Sequence, residues 1–189
     1  MTRFLVTGAS GLLGINFCLR VGAAHEVIGL VNRNPLVEPR FRVLNGDLTL
    51  PGMIDTVLTR VQPEVVIHCA AQANVDQCER EPDLALHINA EIPGLLAAAC
   101  RERGLRMIHI STDAVFDGQK GNYSEEDAPN PINAYARTKL AGEQRVAAAN
   151  PEAVIARVNF YGWSLTGKRS LAELFYYNKK KKKPMMGFT

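Results

Sequence analysis

The stretch "VTGASGLLG" (6–14) limits the possible folds more than any other part of the chain. It sets Gly8, Gly11 and Gly14 three residues apart. They directly follow the apolar run "RFLVTG" (3–8) and open "LLGINFCLRVGA" (12–23), whose apolar residues fall at helical spacing. In a strand–turn–helix, one such glycine makes the tight turn. Another lets the backbone approach a pyrophosphate, and the last lets the helix pack onto the sheet. The helix start adds free N–H donors and a positive dipole end. Gly8, Gly11 and Gly14, with Thr7, Ser10 and the amides of Leu12 and Leu13, are therefore candidate contacts to a dinucleotide. The spacing is G-x-x-G-x-x-G, not the commoner G-x-G-x-x-G. A purely structural turn is the competing reading.

The rest of the chain repeats the alternation. Strand-length apolar runs are predicted at 26–31, 42–47, 64–71, 105–112 and 153–160. Helices are predicted at 53–61, at 83–104 with a kink at Pro93 and a C-terminal cap at Gly104, at about 134–149, and from 170 to 177. Residues 113–133 are rich in Gly, Asn, Asp and Pro and read as a long loop. Strand and helix at this pace imply βαβ units and a doubly wound α/β fold around a parallel sheet.

With 189 residues, 47% of them hydrophobic, the chain can bury a sizeable core. The net charge is only +3, and five positive charges sit in one run, Lys179–Lys183. Nothing therefore points to a nucleic-acid partner. The run reads as a solvated face, with an anion-binding patch as the minority reading. Cys18, Cys69, Cys78 and Cys100 have no C-x-x-C spacing, so no metal site is assigned and reduced thiols are expected. With no signal-peptide pattern and no run long enough to span a bilayer, a cytoplasmic protein with no membrane partner is expected.

The end of the second strand bears on cofactor choice. An acidic residue there would bind the ribose 2′-hydroxyl of NAD. Here the sequence is "LVNRNP", with Asn32 and Arg33. A guanidinium can clamp a 2′-phosphate, so NADP(H) is favoured over NAD(H). The alternative is a solvated Arg33. Asp47 is placed to reach an adenine edge or, nearly as well, to form an Asx turn. Leu48, Ala70 and Ala71 follow strands at the same sheet edge and are further candidate cofactor neighbours.

"NAYARTKLAGE" (133–143) puts Tyr135 four residues before Lys139, on one helix face. A nearby ammonium would lower the phenol pKa and suit it to proton transfer. Such a pair also arises by chance. In order on one chain, "TGASGLLG", "STDAVFDG" (111–118) and "YARTK" (135–139) resemble the extended short-chain dehydrogenase/reductase superfamily. The likeness is greatest to the dTDP-4-dehydrorhamnose reductase family, and it extends from residue 3 to about 178. "AAQANVDQCEREP" (70–82) is similar to a further segment of that family. Ala114 stands where the family often has an aromatic, and "RVNFYG" (157–162) departs from its Arg-Thr-Ser-Trp pattern.

The resemblance implies a Rossmann-like cofactor domain over 1–165, with 166–189 beginning a smaller substrate domain. It implies NADPH-dependent reduction of the C4 ketone of a nucleotide-linked sugar, and it allows a homodimer. Tyr135 would be the general acid, Lys139 its electrostatic partner and ribose contact, and Thr112, rather than Ser111, the hydroxyl on the carbonyl oxygen. Asn89 would buttress the loops near the cofactor. Asp76 and Glu79 approach the sugar or a metal, or are solvated loop carboxylates. His68 and His109 read as core residues. Two alternatives stay open. One is an epimerase or dehydratase on the same fold; a 4,6-dehydratase would carry Asp-Glu after Thr112, where this chain has Asp113 and Ala114. The other is an NADP-binding regulatory subunit resembling the β subunit of methionine adenosyltransferase.

Overall fold

The computed structural model describes residues 1–164 and 171–181, without the side chains of Leu171 and Leu174. Most of the expected second-domain segment 166–189, including Lys182 and Lys183, lies outside the described residues.

Six parallel strands form one sheet: β1 (Arg3–Thr7), β2 (Glu26–Val31), β3 (Arg42–Asn45), β4 (Val65–His68), β5 (Arg106–Thr112) and β6 (Val154–Val158). Their order is β3-β2-β1-β4-β5-β6. This is the doubly wound arrangement, and its order reverses between β1 and β4, where open α/β sheets bind ligands. Both faces are covered, which is why the strands read as continuous apolar runs. Helix α1 (Leu12–Val21) packs Phe17, Cys18 and Val21 over Val6, Val27 and Ile67. On the other face, α2 (Met53–Val61), α5 (Ile92–Glu102) and α6 (Ala134–Ala149) cover Leu5, Ile28, Val66 and Met107.

Two short helices follow β4: α3 (Val75–Arg80), which the apolar pattern did not predict, and α4 (Pro82–Leu86). The expected long helix 83–104 is α4 running through a π turn (His87–Glu91) into α5. Pro93 supplies no amide to the Asn89 carbonyl, and the widened turn immediately upstream absorbs that loss. The α5 end is as expected. Gly104 has φ +63°, and the Leu105 and Gly104 amides return to the Cys100 and Arg101 carbonyls at 2.9 and 3.1 Å. Helix α7 (Leu171–Lys180) closes the described chain.

Candidate active site

Gly8 turns the chain off β1 with φ +66°, and a Cβ there would stand 2.7 Å from the Ala70 nitrogen at the end of β4. A Cβ on Gly14 would stand 2.3 Å from the Gly8 carbonyl oxygen. These two positions account for the tight turn and the close helix contact. Gly11 is the N-cap of α1; no side chain caps that helix and no acid occupies its first turn. The other helices at this edge differ: Asn74 caps α3, and Asn133 caps α6 with a bond of 2.8 Å from the Ala136 amide. The amides of Leu12 and Leu13 are thus left for an anion. Ser10 is half-buried in the turn. The Thr7 hydroxyl is turned inward instead. It meets His68 Nδ1 at 2.8 Å and accepts the Ala70 amide at 3.3 Å, pinning β1 to β4.

At the end of β2 the fold alters the reading of the sequence. Asn32 and Arg33 are exposed, but Asp47 comes beside them because Val31 pairs in register with Asn45. Asp47 accepts the Thr49 amide at 3.0 Å and the Thr49 hydroxyl at 2.7 Å, the Asx-turn alternative. These bonds lower its pKa, and contact with Asn32 and the charge of Arg33 act in the same direction. Strand pairing thus brings a carboxylate, Asp47, beside Arg33, where the local sequence after β2 offers none. Leu48 packs its side chain on the core. Ala70 is half-buried and Ala71 exposed at the end of β4.

The other half of the site is built from β5 and α6. Thr112 ends β5, accepts the Ala114 amide at 3.1 Å, donates to Asp113 Oδ1 at 3.3 Å, and is near enough to Tyr135 to act on its phenol. Tyr135 packs against Cys78, Ala85 and Ala134. Lys139, one turn on, is 2% exposed and donates to the Ile110 carbonyl at 2.6 Å. Burial drives its pKa from 10.5 down to about 8, opposed by the charge of Glu143.

The expected acidified phenol is not found. Burial raises the Tyr135 pKa, with the contact from Thr112 acting against it, and Lys139 is not among the causes. The lysine is bound to a β5 carbonyl rather than aimed at the phenol. A protonated phenol is nonetheless the form a proton donor needs at neutral pH.

Several polar groups hold this half in place. Asn89 exchanges two bonds with the backbone of Gln72, at 2.8 and 3.0 Å, and donates to Thr138 Oγ1 at 3.0 Å. It joins the segment after β4 to α6. Gly142 permits the close helix contact: a Cβ there would stand 2.2 Å from the Asn89 carbonyl oxygen. Glu79 accepts the Ala134 amide at 2.6 Å at the first turn of α6. Among the described residues no group of three or more His, Cys, Asp or Glu is arranged to hold a metal. His68 and His109 lie stacked and buried, 5.4 Å between ring centres, and burial lowers both pKa values, that of His68 to about 3. Ser111 is buried and bonded to Glu143, which removes it from the reacting edge. Glu143 and Arg157 were not visible as site residues in the sequence. The one local hint was that 135, 139 and 143 repeat every four residues.

The family model described as "RmlD substrate binding domain" matches residues 2–183. The chain belongs to the RmlD family. RmlD-family relatives include the probable low-salt glycan biosynthesis reductase Agl14 of Haloferax volcanii, 42% identical over 163 residues, covering 83% of this chain and 53% of that protein. The dTDP-4-dehydrorhamnose reductase of Mycobacterium tuberculosis is 39% identical, over 90% of this chain and 54% of that protein. The methionine adenosyltransferase 2 subunit beta of Bos taurus is 37% identical, over 82% and 46%. Among solved structures, a hypothetical dTDP-4-dehydrorhamnose reductase from Sulfolobus tokodaii superposes with TM-score 0.87 at 36% identity, over 98% of this chain and 64% of that one. The Bacillus anthracis dTDP-4-dehydrorhamnose reductase, solved in complex with NADP, superposes with TM-score 0.72 at 29% identity, over 95% and 60%. The chain spans about half the length of the curated relatives it matches.

Proposed function

We propose that this chain carries the cofactor-binding and catalytic part of an NADPH-dependent reductase acting on the C4 ketone of a nucleotide-linked sugar. In this reading residues 1–165 are the cofactor domain and 166–189 lead into a substrate domain. The observation that carries the reading is Thr112 at the end of β5 beside Tyr135 on the first turn of α6, with buried Lys139 one turn further along that helix. The reductase names of the Haloferax and Mycobacterium relatives support it.

The residues present fit a nicotinamide dinucleotide. The uncapped start of α1 would take the pyrophosphate, and Ser10, Gly11, Leu12 and Leu13 line it. Ala70 and Ala71 flank the nicotinamide side. Arg33 would take a 2′-phosphate, while Asp47 beside it would take a 2′-hydroxyl, so the preference for NADPH rests on Arg33 outweighing Asp47. When bound, the cofactor supplies a hydride. Tyr135, neutral because it is buried, donates its proton to the developing sugar alkoxide. Thr112 donates a hydrogen bond to the same oxygen and fixes its position. Lys139, held on the Ile110 carbonyl, ties the turn of α6 below the phenol to β5. A groove of about 470 Å³ beside Thr112, lined by Asp113, Ala114, Phe116, Tyr123, Glu125 and Arg157, is the proposed sugar side.

The test is NADPH oxidation followed at 340 nm with a dTDP-linked 4-keto-6-deoxy sugar, alongside binding titrations with NADPH and NADH. Turnover only with the keto sugar supports the reading; binding without turnover on any nucleotide-linked 4-keto sugar ends it. A second reading, a cofactor-binding regulatory subunit, is favoured by the Bos taurus relative. It predicts a stoichiometric complex with a methionine adenosyltransferase catalytic subunit.

A further inference from the structure

Glu143 has no part in the chemistry above, yet it is 4% exposed on the face of α6 that carries Tyr135 and Lys139. Its carboxylate accepts Ser111 Oγ at 2.5 Å, and Arg157 Nε and Nη2 at 3.1 and 2.7 Å. Ser111 and Arg157 are register partners on β5 and β6. The guanidinium also lies 5.2 Å from the Phe116 ring centre. One carboxylate thus ties the catalytic helix to two strands, and Ser111 is the residue before Thr112. A buried charge is costly to keep, and apolar residues of similar volume often serve as well for stability alone. What apolar residues could not supply is a negative charge near Lys139.

The surroundings of Lys139 make that charge matter. His68 on β4 and His109 on β5 are neutral, and the Cys69 thiol is pushed up to about 12 by burial. Tyr135 on α6 is protonated, and the Arg157 guanidinium is spent on Glu143 and the Phe116 ring. Among the described residues Glu143 is the one carboxylate coupled to the buried ammonium. We propose that Glu143 is a positioning residue: clamped by Ser111 and Arg157, it keeps Lys139 charged and its ammonium fixed against the Ile110 carbonyl. The functional consequence rests on the reductase reading; the effect on Lys139 does not.

The test follows the Lys139 titration by NMR in protein labelled with ¹³Cε-lysine, the resonance assigned by its loss in Lys139→Met. Glu143→Gln should lower the midpoint by about one pH unit, and Glu143→Asp should largely restore it. Arg157→Gln leaves Glu143 less neutralised and should raise the midpoint. Opposite shifts cannot come from a shared loss of packing, and Arg157→Gln alone decides the matter if Glu143→Gln does not fold. An unchanged midpoint in either variant, or shifts of the same sign, overturns the proposal. Shifts as expected, with no 4-keto sugar turned over by any variant, would leave the positioning intact and remove the reductase.

Discussion

Where β1 meets α1, an added Cβ on Gly14 would stand 2.3 Å from a backbone oxygen, and the helix start carries no capping side chain. On α6, by contrast, Thr138, Lys139 and Glu143 are all buried and all hydrogen-bonded. The two regions bound one sheet edge by opposite means. The turn works by omission: side chains are removed so that bare amides face outward. The helix works by insertion: charged groups are pushed inward and matched to one another. Binding a phosphate needs only donors, which any backbone has. Moving a proton needs groups whose protonation is set by their neighbours, and that takes side chains from several elements.

The contrast predicts different kinds of failure, and a swap between them would break it. Tyr135→Phe should reduce turnover 10² to 10⁴-fold, the range of general acid catalysis, and leave cofactor affinity unchanged in a binding titration. Gly14→Ala should do the reverse, impairing cofactor binding first. Overpacking against backbone that cannot yield should also cost about 1–3 kcal/mol in urea unfolding.

The stacked histidines sharpen the picture of a helix face built on neutral and charged partners. Both are held below their ordinary pKa, so the folded form stays neutral where the unfolded chain takes up protons. Stability is therefore lost as pH falls below about 6.5 towards the folded values. Between pH 6 and 5 the pair should cost about 2 kcal/mol, read from unfolding at the two pH values. Neither ring nitrogen of His109 has a protein partner, so His109→Leu should fold and roughly halve that loss. The smallest effect belongs to the cap. Asn133→Ala should cost about 1 kcal/mol and slow turnover without touching cofactor affinity.

How much of this was legible in the sequence follows the same division. β2 at 26–31, α2 at 53–61 and α6 at 134–149 coincide with the predicted spans, because apolar periodicity is local. The glycine turn was legible for the same reason. Helix α3 was missed because "VDQCER" offers only Val75 and Cys78 as an apolar pair; the Asn74 cap was the available signal. The Asp47–Arg33 meeting depends on strand register, which no short window contains. The Ser111–Glu143–Arg157 clamp joins residues 32 and 14 positions apart, so nothing local announces it. The phenol's raised pKa was misread because helical spacing gives proximity to Lys139 but not where its ammonium is spent.

The segment after β4 has a consequence for how the molecule would respond to an occupant. Through Gln72 and Asn89 it reaches Thr138 on the second turn of α6, and through Glu79 it grips the first turn, at Ala134 beside Tyr135. Displacement of residues 72–79 is thereby passed, at two points, to the helix that carries Tyr135. A molecule resting there would steer the phenol without ever touching it.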